Sequence, residues 1–487
     1  MSKTNFKPQA NRLITLDCFR GLAILLMVLS GSIAFGDVLP AWMYHAQVPP
    51  PLHKFMPTLA GITWVDLVFP FFLFSMGAAF PLALKSQLAK TETKHIVFKI
   101  LKRYLLLIFF AIFTHHAKAW VMNSQANLTE NLLSIGCFIL LFLMFAKTST
   151  ESKLTSNIRQ IIGFVLAMAF LILYPFKDGG FNIFKSDIII VVLANMALFG
   201  SLIWVLTQKT PWLRLAILPF IMAIFLSGKE ARSWQNIVFN WSPIPWAYTF
   251  YYLKYLFIII PGTFAGDWLL KTQEENLTIT TSKKLIVMAL LCLLMVVSNT
   301  CFLYSRLLIL NLSVTFLLST ILFYLNYLSK LNKVYQNLMS AGILLLILGL
   351  FFESYEGGIK KDPSTFSYYF VTSGMSFLTI FSFLIIESSG YVKLGFRWTA
   401  KVGQNPMIAY TAGNLFLLPL LKITHVESLF NQLNQIAMKK SLLRMSALAL
   451  CAAMLFTACK KDDAAPENTG SELYKRLGSN AGIKKVV

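Results

Sequence analysis

The chain has 487 residues, 56% of them hydrophobic and only 13% charged, with a mean hydropathy of +0.65. Soluble domains carry roughly 25% charged residues, so a soluble globular fold is excluded. The net charge of +22 would point to nucleic acid in a soluble protein. Here the lysines and arginines fall in short loops between apolar runs, where they fix membrane orientation, and no nucleic-acid partner is expected.

Apolar runs of about 18 residues or more recur, the length a helix needs to cross roughly 30 Å of hydrocarbon. No alternating ten-residue strand pattern appears. The fold class is therefore all-α, a polytopic transmembrane helix bundle. In chain order the runs predict spans at 16–36, 67–84, 99–117, 130–146, 158–176, 187–207, 211–227, 249–270, 284–304, 307–328, 338–352, 366–387 and 404–423. Two are short for a full crossing, which gives about 11–13 spans. No inverted repeat is evident, which disfavours transporter folds built that way.

Lys3, Lys7 and Arg12 precede the first run with no cleavable signal, placing the N-terminus in the cytoplasm. Alternation from there puts roughly twice as many basic residues in the loops assigned to the cytoplasm as in the opposite ones. The loop with His45, His53 and Asp66 then faces outward. Two further outer stretches, 234–252 and 353–370, mix aromatics with polar residues. They read either as interfacial belts or as a surface for sugar rings.

Histidine can accept and return a proton near neutral pH, and a neighbouring carboxylate fixes its tautomer. His45 or His53 with Asp66 would suit acyl transfer, where an amine or hydroxyl loses a proton while attacking a thioester. A histidine could also carry the acyl group covalently. His115 and His116 end the third span on the same side and could join them. Asp17 and Arg20, three apart, share a helix face and read first as an ion pair. No Walker, zinc or GxSxG motif is present, so nucleotide and metal hydrolysis have no support. Of six cysteines, Cys18, Cys137, Cys292, Cys301 and Cys451 read as buried small hydrophobes.

LDCFRGLAILLMV, a histidine-bearing loop, GITWVDLVFPFFLFSMG, SDIIIVVLANMALFG, EGGIKKDPSTFSYYFVTSG and GQNPMIAYTAGNLF follow one another between about residues 11 and 425. In this order they resemble the heparan-α-glucosaminide N-acetyltransferase family and its bacterial relatives. The resemblance implies a multi-span enzyme of the bacterial inner membrane. It would move the acetyl group of cytosolic acetyl-CoA, a co-substrate, to a periplasmic amino-sugar or glycan acceptor. The family's active-site histidine lies in an HA dipeptide before the motif aspartate, matched here by His45–Ala46 and Asp66. The family spacing itself falls on Met56, because VPPPLHKFMPTLA intervenes, so His53 stays in reserve. Asn405 matches the asparagine of the late GxN motif and would line the pocket. The phosphates of CoA need cations, for which Lys102, Arg103, Arg397 and Lys401 are candidates.

The C-terminus reads as a second protein. MKKSLLRMSALALCAAMLFTACKKDD, from Met438, resembles a lipoprotein signal with Cys459 as the lipidated residue, and 460–487 resembles the opening of a truncated haemoglobin. No haem-ligating histidine accompanies it, so neither haem nor metal is expected as a cofactor. The sequence thus divides into an acyltransferase domain over 1–430, a signal-like apolar helix over 438–459 and a polar tail, consistent with a fusion of two reading frames. Membrane lipid is an expected partner, and a homodimer is compatible with the reading. The rival function is a secondary transporter or flippase for a sugar-like substrate, with Asp17, Arg20, Asp66 and Asp267 lining a polar path. A weaker third is a catalytically inactive sensor or scaffold.

Overall fold

The computed structural model describes residues 13–33, 39–146, 152–177, 179–275, 282–329, 331–390 and 393–426. The signal-like helix, Cys459 and the polar tail lie outside the described residues. Among the described residues, fourteen helices of 12 residues or more carry the fold. They are α1 (Ile14–Ser32), α2 (Trp64–Leu88), α3 (Thr93–His116), α4 (Leu128–Phe145), α5 (Lys153–Leu173), α6 (Ile188–Thr207) and α7 (Pro211–Ser227). Then come α8 (Leu256–Glu274), α9 (Lys283–Tyr304), α10 (Leu308–Ser329), α11 (Lys333–Phe351), α12 (Phe366–Ser389), α13 (Lys393–Gln404) and α14 (Pro406–Ile423). Short helices, Ala119–Met122 and Trp234–Asn240, lie in loops. Among the described residues there is no β-strand, only an isolated bridge between Lys361 and Ser364.

Every predicted span falls on a helix among the described residues. Eleven are long and apolar enough to cross a membrane; α3 and α7 are the exceptions. Lys99, Lys102 and Arg103 interrupt the apolar character of α3, and α7 is 17 residues long. The chain is a polytopic, all-α membrane protein. The short amphipathic α13, with Trp398 exposed, is an additional element between two spans.

The helix ends are locally encoded. Thr63 and Asp66 form a capping box at the start of α2, and Asn127 and Glu130 form another at α4. Pro70 and Pro81 sit inside α2, a placement neighbouring helices make tolerable in a membrane bundle. Helix α12 is the most deeply enclosed and packs on α1, α2, α8, α9 and α11. Helices α5 and α10 lie at the rim, with most of their residues turned outward.

In lipid there is little hydrophobic drive between helices, so association depends on close contact between small residues. Helix α8 carries the GTFAG stretch, in which Gly262 and Gly266 lie four apart on one face. A Cβ at Gly262 would meet the Phe74 carbonyl, one at Gly266 the Ala78 carbonyl, and one at Gly77 the Ile259 carbonyl. Backbone thus lies on backbone along the α2–α8 seam. The same device joins α1 to α13, where Gly21 faces Thr399 and Gly403 faces Asp17. These two seams hold α2 and α1, the helices that carry Asp66 and Arg20.

Candidate functional site

Two polar regions occupy opposite ends of α2. At its N-terminus the His45 Nδ1 to Asp66 Oδ1 distance is 2.7 Å. The other carboxylate oxygen accepts from Thr63 N–H at 2.9 Å and Ala46 N–H at 3.1 Å. Asp66 is buried, whereas 40% of the His45 side chain is exposed. An ionised carboxylate can only accept, so Nδ1 carries a proton, and in the neutral ring the lone pair is on Nε2. The capping box therefore has a second use, orienting a histidine 21 residues upstream.

Lys361, on the loop before α12, is the third member. Its Nζ lies 3.2 Å from His45 Nδ1 and 3.4 Å from Nε2. In the ring plane an ammonium could be this close to both only by overlapping the carbon between them, so it stands over the ring face. Burial pushes the Lys361 ammonium down from the ordinary lysine range, and Asp66 and Asp362 partly restore it.

The two loops that carry these groups are clipped together. Gln47 Nε2 donates to the Asp362 carbonyl at 2.5 Å, and its Oε1 accepts from Asp362 N–H at 2.9 Å. Gly61 N–H donates to the Ile359 carbonyl at 2.8 Å. Beneath them the buried Lys254 donates to the Ser364 carbonyl at 2.5 Å and to Glu356 at 3.3 Å, with its ammonium 4.4 Å from the Phe366 ring centre. Tyr368 donates to the Asp66 carbonyl at 2.7 Å. The loop holding Lys361 is thus anchored on both sides.

His53 takes a different position. It packs edge-on against Tyr44 at 4.6 Å between ring centres, in left-handed backbone with φ of 46°. Both Asp66 oxygens are already engaged by His45, Ala46 and Thr63, so the carboxylate's histidine partner is His45. His116 donates from Nδ1 to the Ile112 carbonyl at 2.9 Å and contacts the rings of Phe176 and Phe181. It and His115 belong to a neighbouring packing cluster.

Along the other end of α2 runs a cavity of about 650 Å³, walled by α1, α2, α3, α6, the end of α4 and the start of α14. Its lining on α2 extends from Phe72 to Gln87, a rise of about 22 Å at 1.5 Å per residue. Arg20, Lys99 and Arg103 supply its cations, while the deeper wall is mostly apolar. Arg103 is thus the one CoA candidate that lines the cavity. Lys102 faces outward beside it, Arg397 and Lys401 are exposed on α13, and Asn405 is exposed at the start of α14. The residues following Asn405, Pro406 and Met407, do line the wall. Arg20 pairs with Asp17 at 3.3 Å, as their spacing predicts, and also donates to the Gly403 carbonyl at 3.3 Å.

About 9 Å of α2, from Asp66 to Phe72, separates the two regions. Phe69, Tyr255 and Tyr369 meet ring to ring at this level, with Phe69–Tyr255 at 5.6 Å and Tyr255–Tyr369 at 5.3 Å. Phe69 itself lies on α2 between Asp66 and Phe72. Asp267 belongs to neither region. It is held by Arg214 at 2.7 Å and Trp204 at 3.1 Å. Asp17 with Arg20, Asp66 and Asp267 consequently occupy three separate clusters. Among the described residues no group of three or more His, Cys, Asp or Glu is placed to hold a metal ion.

Fold and site together define a polytopic membrane protein with a carboxylate-oriented histidine at one end and a cation-bearing cavity at the other. The chain belongs to the family described as a domain of unknown function (DUF5009), which matches residues 12–269. That span holds His45, Asp66, the α2–α8 seam as far as Gly266, and the three cavity cations; Lys361 lies beyond it. No curated protein matches the chain.

Proposed function

We propose that this protein is a membrane acyltransferase that takes the acetyl group of acetyl-CoA to an amino-sugar or glycan acceptor. Acetyl-CoA would enter from the end bearing Arg20, Lys99 and Arg103, and the acceptor from the His45 end. In the bacterial inner membrane, with the N-terminus cytoplasmic, these ends correspond to cytoplasm and periplasm.

The observation that carries this reading is the His45–Asp66 pair at 2.7 Å on the same helix that walls the cavity. Fixing the proton on Nδ1 makes Nε2 a base or nucleophile. As a base, Nε2 takes the amine proton while the amine nitrogen adds to the thioester carbon; the C–S bond breaks and the thiolate receives a proton. As an acyl carrier, Nε2 itself adds to that carbon, expels the thiolate, and then yields the acetyl group to the amine. Either route ends in amide and thiol. Cavity cations complement the phosphates of CoA.

The test is incubation of purified protein in proteoliposomes with labelled acetyl-CoA and glucosamine-type acceptors. Acetylated acceptor is expected from the wild type, with at least a ~10²-fold lower rate from His45→Ala and little change from His53→Ala. Undiminished transfer by His45→Ala would refute the assignment.

A further inference from the structure

The position of Lys361 goes beyond orienting a histidine. An ammonium held over an imidazole face is badly placed to donate to the in-plane lone pair of Nε2. It is well placed for charge that develops out of the plane. When a carbonyl carbon is attacked at Nε2, or by an amine hydrogen-bonded to Nε2, the carbon becomes tetrahedral and its oxygen gains negative charge. With that oxygen turned to the Lys361 face, the distance of 3.4 Å between Nζ and Nε2 leaves it within reach of the ammonium.

We infer that Lys361 is the oxyanion-stabilising residue of the His45 site, resting on the acyl-transfer reading above. The step balances simply. The nucleophile's lone pair forms the new bond to carbon, and the C=O π pair moves onto oxygen, where the ammonium stabilises it. That pair then returns to re-form C=O as the C–S bond breaks and its electrons leave with the thiolate. Lys361 stays protonated throughout.

Its surroundings fit the role. The two bonds between Gln47 and Asp362, and those that Lys254 and Tyr251 make with Ser364, hold the residue after Lys361 and the far end of the short Lys361–Ser364 bridge before any substrate arrives. Preorganised donors of this kind act without reorganisation at the moment of reaction. Asp66 lies close enough to balance the ammonium's charge, and its oxygens remain committed to His45, Ala46 and Thr63. The cation therefore stays available above the ring.

The experiment compares wild type, Lys361→Met and Lys361→Arg with acetyl-CoA and with its dithioester analogue, whose reacting C=S accepts hydrogen bonds poorly. Lys361→Met is expected to lower kcat by about 10²–10³-fold while KM for acetyl-CoA stays within about twofold. Replacing C=O by C=S should slow the wild type strongly and Lys361→Met little, because both changes remove one interaction. Lys361→Arg should recover part of the rate and part of the sulfur effect. Unfolding of Lys361→Met would be seen as lost acetyl-CoA binding; Lys361→Arg, which keeps the charge, then carries the comparison. An equal sulfur effect in wild type and in a folded Lys361 variant would overturn the inference. A wild type that binds no acetyl-CoA and transfers no acetyl group would instead overturn the acyl-transfer reading, and the inference with it.

Discussion

Gln47 grips Asp362 by both atoms of its amide, giving a hydrogen to the carbonyl at 2.5 Å and taking one from the N–H at 2.9 Å. The two residues are 315 positions apart, and this grip ties the loop of His45 to the loop of Lys361. Gln47→Glu keeps the acceptor, loses the donor and sets a carboxylate against a carbonyl. It should lower stability by about 1–3 kcal/mol and reduce acetyl transfer. Thermal unfolding in detergent and the transfer assay check both.

Asp66 has separable roles. In Asp66→Asn the amide oxygen still accepts from Thr63 N–H, so α2 should start where it does now and the protein should fold. The amide NH2 then faces His45 Nδ1 and donates to it, which shifts the ring proton to Nε2 and removes the lone pair the reaction uses. Transfer should fall by about 10²-fold or more with the unfolding midpoint nearly unchanged. A variant equally active would detach the carboxylate from the chemistry.

The cavity makes a contrast between neighbours. Arg103 lines it and Lys102 does not. Arg103→Glu should weaken acetyl-CoA binding by about tenfold or more, the effect of losing a charge-assisted hydrogen bond. Lys102→Glu should cost about threefold at most, as for an exposed charge. Equilibrium binding of labelled acetyl-CoA to the purified variants distinguishes them.

Glycines offer a similar contrast in stability. Gly266→Ala places a methyl group on the Ala78 carbonyl across the α2–α8 seam and should destabilise by about 1–3 kcal/mol. At Gly136, in α4, a Cβ meets open space. Gly136→Ala should be neutral or stabilising by about 0.5–1 kcal/mol. Thermal denaturation of the two variants gives the order.

Lys361 should set an alkaline limit on activity. Burial holds its ammonium below the ordinary lysine range, so it loses its proton, and the oxyanion its partner, at a lower pH than an exposed lysine would. The rate should fall there in the wild type, whereas Lys361→Arg, charged throughout, should hold its reduced rate to higher pH. The stability effect has the opposite sign. With the folded-state value below the unfolded one, the unfolded chain holds more protons, so this residue's contribution rises as pH increases between the two values. Rate–pH and unfolding–pH profiles would show limbs running in opposite directions.

Long apolar runs made the helices legible, because a bilayer requires both their length and their hydrogen bonding. Asp66 and His45 were legible too, the first as an acid in a helix's opening turn. Lys361 was not, since it meets His45 only across a contact of 316 residues. Its trace in the sequence was the mixture of charge and aromatics over 353–370. Arg103 could be chosen as a cation near a helix end, but periodicity does not say which of two adjacent basic residues faces inward. Arg20 was hidden by its ion pair with Asp17, which accounts for the charge and conceals the cavity beside it.

The capping box at α2 makes folding and function the same event. Thr63 and Ala46 can donate to Asp66 only when α2 has begun in register, and that register is what turns His45 toward its carboxylate. A chain that misplaces the helix start by one residue would lose its working histidine at once. On the acyl-transfer proposal, the start of α2 would thus act as a local assembly check on the His45–Asp66 pair.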